Sequence, residues 1–154
     1  MSVDIILSIW KRLSTTRFGR KLFSYLVRFF NPYTGRLGAQ VEVLEPGYAE
    51  ITLKDIRRNR NHLNSVHAIA LSNLGEFTSG IAVLVSLDTK TRGIVTHISV
   101  DFFKKARGEL RAISRCELPC VDKEMEFKVY ADIFDQAKDK VARVDVTWKL
   151  GRKT

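Results

Sequence analysis

The feature that most constrains this chain is a long apolar segment in its middle, which begins near Ser65 and ends near Leu87. Drawn as a helix, the segment is apolar on nearly every side, through Val66, Ile69, Leu71, Leu74, Phe77, Ile81, Val83, Leu84 and Val85. Such a helix must be surrounded by other elements, and Ser65 is suited to cap its start. We predict a buried helix over 65–87, in which Glu76 needs an explanation.

The segments on either side of this helix alternate apolar and polar residues with the period of two that is typical of strands. Residues 38–55 have the pattern of a β-hairpin with a Pro-Gly turn, and four further strands are predicted at 93–104, 109–118, 124–134 and 140–150. Six strands and one surrounded helix indicate an α+β fold, an antiparallel sheet curled around the helix. The inward side chains are expected to include Ile98, Val100, Val129 and Val146.

Two glycines inside the predicted helix carry a further expectation. Gly75 and Gly80 are poor helix formers, so their presence indicates that a neighbouring element comes close to the helix at these points. The sheet and a second copy of the helix are the two candidates for that neighbour.

The first part of the chain, residues 1–34, is predicted to be a helical extension of a single domain that covers residues 35–154. Its two apolar stripes recur at helical spacing opposite Lys and Arg. Neither stripe reaches the roughly 20 residues of a membrane span. We expect a helix pair packed on the domain's own surface. Peripheral contact of residues 1–30 with a membrane surface is the alternative, and the composition also fits a mitochondrial transit peptide.

The net charge of +9 indicates an anionic partner: a nucleic acid, a membrane surface or a phosphorylated small molecule. The aromatic residues lie in the apolar stripes and are not interleaved with Lys and Arg, which argues against nucleic acid. The two cysteines, Cys116 and Cys120, are too few for a zinc site, and we interpret them as ordinary thiols of a reducing, cytoplasmic compartment. No cofactor or metal ion is expected.

Three residues around the helix start give a resemblance. Asn61, the segment His-Ala-Ile beginning at His67, and Glu76 follow one another in the order and spacing of the hotdog-fold acyl-CoA thioesterases, most closely the PaaI-like branch. The chain resembles this family over roughly residues 35–150. Where family members often carry two glycines after the histidine, this chain has Ala68 and Ile69, which would narrow the thioester pocket. The resemblance implies a hotdog fold, acyl-CoA hydrolysis and two composite sites per homodimer, alone or in a dimer of dimers.

The chemistry is consistent with this assignment. The free N–H groups at a helix start, near His67 and Ala68, can stabilise an oxyanion. Glu76 can act as general base or nucleophile, and Asn61 can orient the water or the carbonyl. His67 and Glu76 are nine residues apart, which is about 180° around a helix and about 13 Å along it. Two antiparallel helices across a two-fold axis would bring the start of one beside Glu76 of the other.

Basic residues near this motif would suit the phosphates of CoA. The candidates are Arg57, Arg58 and Arg60 before the helix and Lys104 and Lys105 at a strand end; Thr96 is a candidate helper hydroxyl. A solvated basic rim explains the charges equally well. His67 could equally be satisfied by the backbone at the helix start, and a lone glutamate is most often solvated or ion-paired. A hotdog dimer that binds acyl chains without hydrolysing them is the alternative function.

Overall fold

A computed structural model describes residues 3–153, with side chains from residue 5 onward. Three helices come first, a hairpin and a long helix follow, and four strands complete the chain. The elements are α1 (Val3–Leu13), α2 (Arg17–Phe30), α3 (Pro32–Gly35), β1 (Gln40–Glu45), β2 (Tyr48–Leu53), α4 (Ala68–Leu84), β3 (Thr91–Phe102), β4 (Leu110–Arg115), β5 (Met125–Phe134) and β6 (Lys140–Arg152).

The strands form one antiparallel sheet in the order β1-β2-β4-β5-β6-β3. The predicted hairpin is present, and its turn depends on Gly47, whose φ of +74° favours glycine. The four predicted strands after α4 are also present, with ends that differ by a few residues. The α+β class and the hotdog arrangement, a sheet wrapped around a long helix, are therefore confirmed.

Helix α4 lies close against the sheet, and its sheet-facing positions carry glycine or side chains that are fully buried. Leu74 is fully buried, and burial of a leucine side chain is worth roughly 1.5–3 kcal/mol. A Cβ atom added to Gly75 would lie 2.2 Å from Cγ2 of Val144 on β6, so only glycine permits this approach. One added to Gly80 would lie 3.3 Å from the ring of Trp148. Side chains of the sheet are thus the neighbour that the two glycines indicated.

The prediction of the helix ends was wrong by three residues at each end. Helix α4 begins at Ala68, and the N-cap is His67, whose Nδ1 accepts a hydrogen bond from the Ile69 N–H at 3.1 Å. Ser65 does not cap the helix because its hydroxyl donates to Oδ1 of Asn61 at 3.2 Å. The helix ends at Leu84, not at residue 87.

The predicted inward face is correct in register on the inner strands and on β3, where Ile98 lies opposite Val146 and Val100 opposite Val144. Val129 and Val146 are buried, whereas Ile98 is 43% exposed and Val100 is half-buried. Strand β3 is at the sheet edge and pairs only with β6, with a β-bulge between Val95 and His97. Ile98 and Val100 therefore face the core side of the sheet, and they remain partly exposed because α4 packs mainly on the inner strands β2, β4, β5 and β6.

Helices α1 and α2 match the two predicted amphipathic segments and pack on the domain. Trp10 and Phe23 are buried together, with ring centroids 4.9 Å apart in an edge-to-face arrangement. Helix α2 runs beside β1, where the Val41 N–H donates to Oγ of Ser24 at 2.9 Å. No helix within residues 3–153 combines the length and apolarity needed to cross a membrane.

Candidate active site

One face of α4 is covered only in part by the sheet and carries the residues of the candidate site. Its members recur at spacings of three or four residues, as one helix face requires, and they are Ile69, Asn73, Glu76, Gly80 and Leu84. Ile69 and Leu84 are 59% and 40% exposed, so both ends of this face are open. The N-terminal helices lie along its middle, where side chains from α1 and α2 face the same cavity as Glu76.

Glu76 lies on a cavity of about 230 Å³ whose walls are mainly apolar. The lining residues are Ile6, Val27, Phe30, Asn31, Glu76, Phe77, Gly80, Ile81, Leu84 and Trp148. Burial raises the pKa of the Glu76 carboxyl above its ordinary value. Among residues 3–153, neither the side-chain hydrogen bonds nor the ion pairs include this carboxylate. A half-buried carboxylate without a protein partner is costly to keep, which is typical of a functional group.

The indole ring of Trp148 lies across Gly80 from Glu76. Trp148 is 5% exposed, and its Nε1 has no hydrogen-bond partner within the described part of the chain. A Cβ atom on Gly80 would lie 3.3 Å from Cζ2 of Trp148 and 3.7 Å from Oε1 of Glu76. The indole edge and the carboxylate therefore flank one small opening that glycine leaves free.

The start of α4 is held by backbone and side-chain hydrogen bonds. The His67 N–H donates to the Asn59 carbonyl at 2.8 Å, and His67 Nδ1 takes the Ile69 N–H. The N–H groups of Ala68 and Ala70 point out of the first turn, where a helix offers them no intrahelical acceptor. With His67 and Ala68 exposed, this end of the helix is accessible to an oxyanion.

Asn61 lies in the loop just before the helix start, and its carboxamide oxygen holds that loop closed. Its Oδ1 accepts hydrogen bonds from the Leu63 N–H at 2.9 Å and from the N–H and hydroxyl of Ser65. Asn61, His67 and Ala68 are therefore brought together in one short segment. Glu76 is not, because it lies nine residues from His67, about 13 Å along the axis.

The predicted phosphate-binding residues differ in whether they already form an ion pair with a carboxylate. Arg60 pairs with Asp55 at 2.7 Å, which lowers the pKa of the aspartate. Lys104 pairs with Asp135 at 2.7 Å and also with Asp139. Arg57 and Lys105 are exposed. These ion pairs partly neutralise the predicted basic rim.

Arg58 has a different position from the other basic residues. It lines an open groove of about 440 Å³ beside the first turns of α4, together with Arg36 and Asn73. Oδ1 of Asn73 is buried and has no partner among residues 3–153. Two arginines thus line the groove beside the first turns of α4, a composition suited to an anionic ligand.

The side chain of Thr96 takes part in the hydrogen bonding of the sheet. Its hydroxyl donates to the Thr147 carbonyl at 3.2 Å, at the bulge of β3. Within residues 3–153 no group of three or more His, Cys, Asp or Glu side chains is arranged to hold a metal ion. Both cysteines are free thiols, Cys116 half-buried and Cys120 exposed.

Sequence reasoning did not assign Trp148 and Asn73 to the site. Trp148 lies 72 residues after Glu76 in the chain, and its position on β6 gave no sign that its N–H would lack a partner. Asn73 could have been found from its spacing, since it is three residues before Glu76 on the same helix face.

Comparisons with known proteins place this chain and its fold in a family. The structure matches the genomics protein APC5556 with a TM-score of 0.83 and 26% identity, over 97% of this chain and 99% of that chain. It matches PA5026 of Pseudomonas aeruginosa, described as a protein of unknown function and probable thioesterase, with a TM-score of 0.77 and 25% identity over 84% and 93% of the two chains. Thioesterase HI1161 of Haemophilus influenzae, 13% identical with a TM-score of 0.67 over 78% and 82%, shares the fold.

A search of the curated proteins found no match. The family defined as "Domain of unknown function (DUF4442)" matches residues 19–150, which is most of the chain. The chain therefore belongs to the DUF4442 family of hotdog-fold proteins.

Proposed function

We propose that this protein hydrolyses acyl thioesters, with acyl-CoA as the substrate class, and that Glu76 is the catalytic base or nucleophile. The observation that carries the proposal is the half-buried carboxylate of Glu76, which has no protein partner within residues 3–153 and faces an apolar cavity. The likeness to PA5026, described as a probable thioesterase, supports it.

In the general-base route, Glu76 takes a proton from a water molecule as the water oxygen attacks the thioester carbonyl carbon. The carbonyl oxygen becomes an oxyanion, which accepts hydrogen bonds from the N–H groups at the start of α4, with Ala68 as the first donor. The intermediate then breaks its C–S bond, and the thiolate leaves with the proton that Glu76 had taken. In the nucleophilic route, Glu76 itself attacks the carbonyl carbon, the C–S bond breaks and the thiolate leaves. Water then hydrolyses the acyl anhydride that has formed, which releases the acid and restores the Glu76 carboxylate.

Either route needs two chains, because about 13 Å separates the helix start from Glu76 within one chain. The edge strand β3 supports a homodimer: it is 12 residues long and exposes Ile94, Ile98 and Phe102 at 66%, 43% and 51%. Long apolar edge strands are normally covered. A two-fold pairing along β3 would set the two α4 helices antiparallel, as the shared site requires. Sedimentation at micromolar concentration is expected to give a dimer or a dimer of dimers, and a stable monomer would contradict the shared site.

The nucleotide end of CoA is proposed to bind the basic surface around the helix start. Arg58 is the strongest candidate, because it shares a groove with Arg36 and Asn73. Arg57 and Lys105 would add exposed charge. Arg60 and Lys104 would contribute less because each already has carboxylate partners. Asn61 is proposed to shape the loop at the site, and Thr96 to hold the edge of β3.

A non-catalytic acyl-CoA-binding protein is the second candidate function. It is favoured by the side chain of Ile69, which stands 59% exposed at the helix start, where small residues would leave more space for a thioester. Such a protein would bind acyl-CoA with the same cavity and groove and release no thiol.

Helix α2 supports a proposal of peripheral contact with an anionic bilayer. Phe18, Tyr25 and Phe29 are 76%, 63% and 72% exposed on one side of the helix, and exposed Arg17 and Lys21 lie beside them. Aromatic and basic side chains on one helix surface suit an anionic lipid surface. The double variant Phe18→Ser/Phe29→Ser is expected to reduce co-sedimentation with phosphatidylglycerol vesicles. Equal binding by wild type to neutral phosphatidylcholine vesicles would count against an electrostatic contact.

The decisive experiment measures free-thiol release from a panel of acyl-CoA esters by wild type and Glu76→Gln. Hydrolysis that depends on Glu76 supports the enzyme. Binding of acyl-CoA without thiol release by wild type would favour the non-catalytic alternative.

A further inference from the structure

We infer that the N-terminal helices set the acyl-chain length of the substrate, by forming the outer wall of the cavity at Glu76, and that this cavity binds the acyl tail. The inference rests on the proposed function and adds a substrate class to it, medium-length straight acyl chains. It assigns a role to α1 and α2, which the chemistry of the thioester does not require.

The cavity is lined mainly by apolar side chains. Asn31, Glu76 and Trp148 are the lining residues with polar side-chain atoms, and Glu76 and Trp148 face each other across Gly80. One helical turn further on, the lining becomes Ile81 and Leu84. A thioester carbonyl placed beside Glu76 would therefore direct its hydrocarbon tail along α4 toward Leu84.

The far side of the cavity comes from outside the hotdog core. Ile6 on α1 and Val27 and Phe30 on α2 complete the wall opposite α4 and β6. These helices are held firmly, since Trp10 and Phe23 are buried beneath them and Ser24 is hydrogen-bonded to β1. A wall that is anchored in the core can limit what fits against it.

The size of the cavity gives the expected chain length. A water molecule has a share of about 30 Å³ in the liquid, and a methylene group, also one heavy atom, needs a similar volume. A cavity of about 230 Å³ then holds a tail of about eight carbons. Each methylene that becomes buried should improve kcat/KM about fourfold, and methylenes beyond the wall should add nothing.

Phe30 is the wall residue best suited to a test, because its neighbour provides a matched control. Phe30 lines the cavity and is 64% exposed, so its truncation should not unfold the domain. Phe29 is the same residue type on the same helix turn, is 72% exposed and does not line the cavity.

The experiment measures kcat/KM for straight-chain acyl-CoAs from 4 to 16 carbons in vesicle-free buffer. Wild type is expected to improve up to about eight carbons and to level off or decline beyond that length. Phe30→Ala should move the break point to chains longer by about two carbons. Val27→Phe should move it to shorter chains. Phe29→Ala should behave as wild type.

The outcomes separate this inference from the proposed function. If Phe30→Ala and Val27→Phe change all chain lengths by one common factor, or if Phe29→Ala matches Phe30→Ala, the wall does not select the tail, although the protein is a thioesterase. If wild type hydrolyses no thioester, the proposed function fails. The same series of ligands and variants is then measured by titration calorimetry. Affinity that is independent of chain length, or unaffected by Val27→Phe, overturns the tail site.

Discussion

The substitution Glu76→Gln tests the proposed chemistry most directly. Glutamine keeps the size of the side chain and removes only the charge. Because the Glu76 carboxylate takes part in no hydrogen bond or ion pair within residues 3–153, the change leaves no protein group without its partner. The loss of activity then measures the chemical role of the carboxylate and not a disturbance of the fold.

The expected loss in kcat is about 10²- to 10⁴-fold for a general base, which is roughly 3–5 kcal/mol of transition-state stabilisation. Stability should change in the opposite direction. Burial raises the pKa of Glu76 in the folded state, so the charged form destabilises the fold once the pH exceeds that raised value. At pH 7 the variant should therefore be more stable than wild type, which would appear as a higher Tm.

The assay pairs thiol release from acyl-CoA with thermal unfolding at pH 7 and at pH 3.5. At the acid pH Glu76 is protonated in both the folded and the unfolded chain, so the stability difference should vanish. Glu126→Gln is the matched control, because Glu126 is an exposed glutamate on β5 outside the cavity. Equal turnover by wild type and Glu76→Gln, with no gain in Tm at pH 7, would refute the assignment of Glu76 to catalysis.

Three further predictions follow from the same geometry. Ala68→Pro removes one N–H at the first position of α4, where proline is well tolerated. We expect this variant to lower kcat about 10²- to 10³-fold with little change in Tm. The control Arg17→Pro, at the first position of α2, should leave kcat unchanged. The value of kcat/KM should fall as the pH drops through the pKa of Glu76. Because burial raises that pKa, the midpoint of the profile should lie above the ordinary carboxyl value. A midpoint at the ordinary value would indicate that a solvated acid controls the rate. Gly75→Ala should destabilise the domain by about 1–3 kcal/mol in urea unfolding, since its methyl group would overlap Val144, and wild-type stability would show that α4 can move away from β6.

Much of the fold could be predicted from local patterns. The period of two in residues 38–55 and in the four later segments identified every strand of the sheet, and the apolar stretch identified the surrounded helix. Errors arose where one local signal competed with another. Ser65 is a residue type that often caps helices, but its hydroxyl donates a hydrogen bond to Asn61, and His67 is the N-cap residue of α4. Ile98 faces the core side of the sheet as predicted, but it is 43% exposed because β3 is an edge strand, a position that no alternation of residues reveals.

The candidate site, like the fold, could be predicted from the sequence only in part. The residues themselves determined that Glu76 lies on a nearly uncharged helix, nine positions after His67, because helix periodicity is a property of the chain alone. Only the tertiary structure decided that Glu76 faces a cavity lined by α1 and α2, that the indole ring of Trp148 lies beside it, and that Lys104 is bound to Asp135. These relations join residues that are far apart in the chain, and the distances that create them exist only once the elements have packed.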